Sequence, residues 1–302
     1  MDGTDRRLRA LSGYRKQLRP CVIHAIDHVV GLVDGIPAPV AAGRADYSSN
    51  PHLRALFASA DHMLEVFGSG TVLNEFRTGS TGRVIALLLA ERTEKNILGV
   101  DLVGELMRRE VAQVAVNFSG HRLVEPATDE ADTRYQLKRR AFDHLLTLAL
   151  KHIAEAKGSR AELSRQRDLL RSKLKTLERS GWSFEAQKGV RPDPDALSAE
   201  LQATESELAN LGADSGVLQA SLDTVVDVLG HAEQQLWGKD IVMHLDRMNI
   251  QRDAQAASAQ RIVLPELHNA RGQHLVMLMV SLAPGELPQR EDFYTAAARY
   301  LA

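Results

Sequence analysis

Residues 177–201, LERSGWSFEAQKGVRPDPDALSAEL, separate two long leucine-spaced segments. On the returning side, Leu197, Leu201, Leu208, Leu211, Leu218, Leu222, Val225, Leu229 and Leu236 share one a/d heptad register, with Thr204, Ser215 and Ala232 as its weaker members. On the outgoing side, Phe142, Leu146, Ala149, Ile153, Ala156, Leu163, Leu170, Leu174 and Leu177 share another, which Arg139, Arg160 and Arg167 interrupt. Two seams of that length predict a coiled coil rather than isolated surface helices.

Charge selects the pairing. Arg134–Arg179 holds 13 Lys and Arg against 5 Asp and Glu, a net of +8; Asp193–Trp237 holds 9 Asp and Glu and no Lys or Arg, a net of −9. Parallel self-association would set like charges together, whereas folding one segment back on the other sets opposite charges together. An intramolecular antiparallel hairpin is expected. A mid-helix weak point is expected at Gly212–Gly216, because glycine costs about 1 kcal/mol in a helix interior.

The quoted stretch is then the hairpin's tip, about residues 181–195. Gly181 stops the outgoing helix, and Pro192 and Pro194 delay the return. A helical bend needs fewer residues than this. Two readings stay open for Trp182 and Phe184. They fold back as a lid over the last heptad, or with Lys188 and Arg191 they form a partner-binding surface.

Working outward, the texture on both sides is different. RVIALLLAERT, NILGVDLVGEL and EVAQVAVNF read as three strand-length runs, with helix the competing reading of the first and HRLVEP a further short strand. DIVMHLDRMNIQR, QRIVLPELHN and QHLVMLMVSLA read as strands after the hairpin, the last two joined by a tight turn at NARG. Neither set is large enough to be comfortable alone. The economical fold is therefore α+β: a mixed helix and antiparallel-sheet head with an inserted long antiparallel coiled-coil hairpin. Its parts are a helical portion, 1–80, a discontinuous β-rich portion, 81–126 and 239–302, and the arm, 127–238. A helical bundle with two separate β elements is the alternative. Within 1–80, residues 4–34 read as helix with Pro20 as a break, 34–50 as loop, 51–67 as a helix capped by Asn50, and 68–82 as a short helix between glycine turns. EDFYTAAARYLA reads as a closing helix.

Composition bounds the function. The 302 residues are 44% hydrophobic with a net charge of −2, which gives no global attraction to nucleic acid or an anionic membrane. No window is apolar enough to span a bilayer. Cys21 is the only cysteine, so a reducing, cytoplasmic setting is expected.

Three motifs invite chemistry. His24 and His28 lie one helical turn apart, with Asp27 beside them and Cys21 one turn earlier. Imidazole and carboxylate at that spacing suit zinc or iron, whereas the structural alternative is a half-buried helix whose histidines bond to neighbours. Ser119 near His121 suggests a nucleophile, without a GxSxG elbow. Gly79, Gly82 and Arg83, with Arg77, suggest an anion or nucleotide cradle that matches no P-loop spacing. His62 beside Asp61 and His144 beside Asp143 read as surface pairs. The function expected is a non-enzymatic adaptor that presents its tip to a protein partner, with a homodimer as a further option. A metal-dependent enzyme or sensor using His24, Asp27 and His28, and a nucleotide-binding regulator, are the alternatives.

Overall fold

The computed structural model describes residues 8–9, 11–69, 73, 76, 82–103, 106–180, 194–210 and 214–287. The chain is α+β and forms two compact units, one from Met1–Ala25 and Asp143–Ala232, the other from Ile26–Phe142 and Glu233–Ala302. The helices are α1 (Tyr14–Asp34), α2 (Arg44–Ser49), α3 (Pro51–Leu56), α4 (Ala60–Ser69), α5 (Glu130–Ser180), α6 (Pro194–Asn210), α7 (Asp214–Gly230) and α8 (Ala232–Gln235). The strands are β1 (Val40–Ala41), β2 (Val84–Val103), β3 (Leu106–Ala127), β4 (Leu236–Leu245), β5 (Gln260–Asn269) and β6 (His274–Leu282).

In the α+β unit the strands pair in the order β3-β2-β6-β5-β4, all antiparallel, and β1 adds two parallel pairs to β6. The two middle strands are apolar on both faces because both faces are covered. One face, including Val84, Leu88, Val276, Leu278 and Val280, shares a core with Leu53, Phe57, Met63 and Phe67 of the α2–α4 region. The other, Leu87, Leu89, Met277 and Met279, shares one with Val33, Ile36 and Leu137. Arg134 of α5 fastens that second layer, donating to the carbonyls of Val33 at 2.7 Å and Ile36 at 2.8 Å at the end of α1. Basic donors there satisfy carbonyls the helix leaves open.

Several expectations change. The three runs before the hairpin are two long strands, and EK and MRR lie inside them. β6 leaves β2 at Ala90, so Glu91–Val103 pair with β3 alone. Solvent on both faces of this ribbon removes the alternation that marks a half-buried strand. The ladder shifts register at three places, each opposite a positive φ on β3: Glu125, Gly120 and Glu110. These are bulges, which bend and twist the ribbon.

Pro20 does not break α1. Leu18, Ala25, Val29 and Val33 are buried along one face, and that packing outweighs the hydrogen bond proline removes. The 34–50 loop contains α2 and β1. Asn50 caps α3 as expected, accepting from His52 N at 2.9 Å and Leu53 N at 3.2 Å. The helix stops at Leu56, however, and α4 starts anew with Ser59 Oγ accepting from His62 N at 3.0 Å. β5, β6 and the NARG turn fall where the residues placed them, with Gly272 at φ 74°. The β5–β6 pairing runs over Glu266–His268 and stops at Pro265, which has no N–H to donate. The helices expected over 68–82 and 291–302 lie largely or wholly outside the described residues.

In the helical unit α5 runs out and α6 and α7 return. Arg171 pairs with Glu205 at 2.5 Å, two positions equidistant from residue 188, as an antiparallel hairpin requires. The inner stripe of α6 is Leu197, Leu201, Thr204 and Leu208, all buried or half-buried. Thr204 satisfies its hydroxyl by donating to Glu200 O at 2.9 Å. Opposite, Arg160, Leu163, Arg167, Leu170 and Leu174 turn inward, while Ala156 is exposed. Nearer α7 the buried stripe widens to Leu145, Leu148 and Ala149 with Ser221, Leu222, Val225, Val228 and Leu229. The start of α1 accounts for the width: Gln219 Nε2 donates to Gln17 Oε1 at 3.4 Å, and a Cβ on Gly230 would meet Cys21 Sγ at 3.7 Å. This part is three helices wide rather than a two-helix seam. On the return, α6 ends at Asn210 and α7 begins at Asp214, so Ser215 and Gly216 of the expected weak point lie within the first turn of α7, while residues 211–213 lie outside the described residues.

The register is open to test by cross-linking. With Cys21→Ser as background, the Arg171→Cys, Glu205→Cys chain should close with a short bismaleimide into a monomer of faster gel mobility. Arg171→Cys with Asp227→Cys should not close. Adducts between two chains only would refute the intramolecular hairpin.

Candidate functional site

His24, Asp27 and His28 all sit on α1, with His24 and Asp27 exposed and His28 half-buried. His28 Nε2 lies 2.7 Å from Leu236 O, and a carbonyl is an acceptor only, so that nitrogen is the donor. Among the described residues, no three His, Cys, Asp or Glu side chains come together as a metal would need. Arg83 holds the end of β6, Nε donating to Ser281 Oγ at 2.9 Å and an Nη to Ser281 O at 3.0 Å. Gly82 is described, whereas Arg77 and Gly79 lie outside the described residues, as do Trp182, Phe184, Lys188 and Arg191.

His62 is not a surface partner of Asp61, which pairs with Arg44 instead. The break between α3 and α4 turns His62 onto Phe57, edge to face at 5.8 Å between ring centres. His121 stacks on the same phenyl ring at 4.6 Å and meets His62 at 6.0 Å. Gly120, at φ 62°, makes the local bend in β3 next to His121. His121 Nε2 donates to Leu56 O at 2.7 Å. Burial pushes the His121 pKa down, the Leu56 carbonyl opposes this in part, and the neighbouring His62 lowers it further. His121 is therefore neutral near pH 7.

A second cluster had no sequence signature. In β5 the core row Ile262–Leu264 continues at Glu266, a carboxylate only 2% exposed. Arg92 of β2 meets it at 3.0 Å and also pairs with Glu94. Burial works against the guanidinium, but Glu266 and Glu94 outweigh it and raise the Arg92 pKa. His268 Nε2 lies 3.0 Å from the other Glu266 oxygen, off the line a hydrogen bond needs. Trp237 stacks on His268 at 5.6 Å and His274 approaches it at 5.8 Å. The stretch PELHN, read from sequence as the end of a strand, thus places a buried acid against a base from the other side of the hairpin insertion.

Compared with protein-family models, with curated proteins and with solved structures, the chain matches none. No helix among the described residues is long and apolar enough to cross a membrane.

Two measurements check these clusters. Glu266→Gln removes the buried partner of Arg92, leaves it the more exposed Glu94 alone, and should cost about 3 kcal/mol in urea unfolding. Glu266→Leu with Arg92→Leu should recover most of that loss, and a double variant no better than the single would sink the pairing. For His121, the folded pKa is depressed, so as pH falls the unfolded chain takes up this proton first. Stability should fall as pH drops through about 6.5, and His121→Phe should flatten that slope between about pH 7.5 and 5.5. An unchanged slope would contradict a buried neutral imidazole.

Proposed function

We propose that this protein is an interaction protein, a spacer or adaptor that offers residues 181–193 to a protein partner. The observation that supports this most is α5 itself, 51 residues long and met in antiparallel fashion by α6 through Arg171 and Glu205. At 1.5 Å per residue such a helix is about 76 Å long. Burial does not explain the length: beyond Ile153, Leu170 is the only fully buried apolar residue of α5 among those described. The segment between α5 and α6 carries Trp182, Phe184, Lys188 and Arg191. Two rings for apolar contact flanked by cations suit a partner surface with an apolar pocket and acidic rim. The opposite charges of the two helical runs favour a coiled-coil pairing within one chain, which leaves this segment for the partner rather than for a second copy. Self-association, if it occurs, would then use other surfaces. The cytoplasm is the compartment that suits a chain with Cys21 as its single cysteine.

A photo-reactive benzoylphenylalanine in place of Phe184 tests this in the full chain, with the same group in place of the exposed Leu169 as control. The expected result is one adduct protein specific to position 184, lost when residues 182–191 are replaced by a Gly-Ser turn. No adduct, or the same adducts from both positions, would overturn it.

A further inference from the structure

A cleft of about 680 Å³ opens in the α+β unit between α2–α3, β3 and the turn after β4. Small-molecule sites typically enclose roughly 300–1,000 Å³. Its apolar wall is Phe57, Phe118, Leu245 and Ile262, all of them buried residues of the core beneath it.

Its charged lining residues are Arg54, Asp246 and Arg247. Asp246 is engaged within its own turn. One carboxylate oxygen accepts from Met248 N at 2.8 Å and Ile250 N at 3.0 Å, and the other from Arg252 Nε at 2.9 Å. Burial opposes the charge, yet these bonds and Arg252 hold the carboxyl below its usual pKa. The turn is otherwise fixed by Asn249, at φ 59°, whose side chain donates to Ala55 O at 2.7 Å.

The two guanidinium groups have no such compensation. Arg54 donates to the neutral Gln260 Oε1 at 2.7 Å, and its Nε is buried without an acceptor. Neither Arg54 nor the exposed Arg247 has an ion-pair partner among the described residues. The cleft therefore combines a positive rim with an apolar wall, and its one carboxylate is already neutralised. A cation would find no free acid there, and a neutral ligand would leave both guanidinium groups uncompensated. His62 adds a directional donor: its Nδ1 accepts from Ala58 N at 3.4 Å, which leaves Nε2–H for a ligand oxygen. The Tyr47 hydroxyl is already donated to Phe57 O at 2.9 Å.

We propose that this cleft binds a small organic anion, its carboxylate or phosphate group held by Arg54 and Arg247 and its apolar body set along the wall that includes Phe118 and Ile262. The reading is independent of the tip and concerns the other compact unit.

Calorimetric titration of the full chain with four probes of one body tests it: 1-naphthoate, 1-naphthyl phosphate, neutral 1-naphthalenemethanol and cationic 1-naphthylmethylamine. At least one anion should bind about tenfold or more tighter than the neutral and cationic probes, and more weakly as salt is raised. Which anion binds better distinguishes a carboxylate ligand from a phosphate ligand. Arg247→Gln, in an exposed turn, and Arg54→Gln should each weaken the anion by about tenfold, with unchanged circular dichroism. Equal binding of the neutral probe, no binding of any probe, or anion affinity unchanged in both variants would each overturn the proposal.

Discussion

The ladder between β2 and β6 is the constraint on which the α+β unit depends. Val84–Ala90 pair with Val276–Leu282 in unbroken register, joining chain from before the helical insertion to chain from after it. Without it, β2–β3 and β4–β5–β6 would be two- and three-stranded pieces of marginal stability in water. With it, one sheet has a centre buried on both faces, and roughly 25 cal/mol per Å² of apolar surface acts across the join. Closure around a long insertion is not prohibitive, because loop entropy grows only with the logarithm of length. The insertion is also folded on itself, which shortens the effective loop.

Within the insertion, apolar burial and charge act differently. Leu145, Leu148, Leu222, Val225 and Leu229 are removed from water, and burial of that kind supplies most of the stability. Pairs such as Arg171–Glu205 are exposed and contribute little each. Their effect is on choice: a basic helix and an acidic return disfavour self-pairing and favour folding back. The same logic separates the two acids of the α+β unit. Glu266 is buried against Arg92 and His268, whereas Asp246 shapes a turn beside a cleft, so one carboxylate braces the sheet and the other leaves neighbouring arginines uncompensated.

The fold was legible where periodicity had a buried face to report. β5, β6 and their turn followed from alternating or continuous apolar runs, and Asn50–Pro51 marked the start of α3. Reading failed where burial was absent or came from afar. Glu94–Lys95 looked like a joint between two strands because the ribbon there is open to solvent, and Pro20 looked like a break because the packing that holds α1 is not local. The clusters were less legible still. His62 and His121 meet only because an α3–α4 break and a bend at Gly120 turn both onto Phe57. Glu266 meets Arg92 across β6, from strands on opposite sides of the insertion, and no spacing in the sequence encodes that approach.

The most direct measurement of the central claim is hydrogen exchange of the backbone amides of residues 84–90 and 276–282 in the full chain across a series of urea concentrations. If the β2–β6 ladder closes the unit, both segments exchange slowest and with one shared free energy of opening that falls together as urea rises. Exchange of one segment while the other stays protected would mean that two independent β pieces, not one closed sheet, carry the fold.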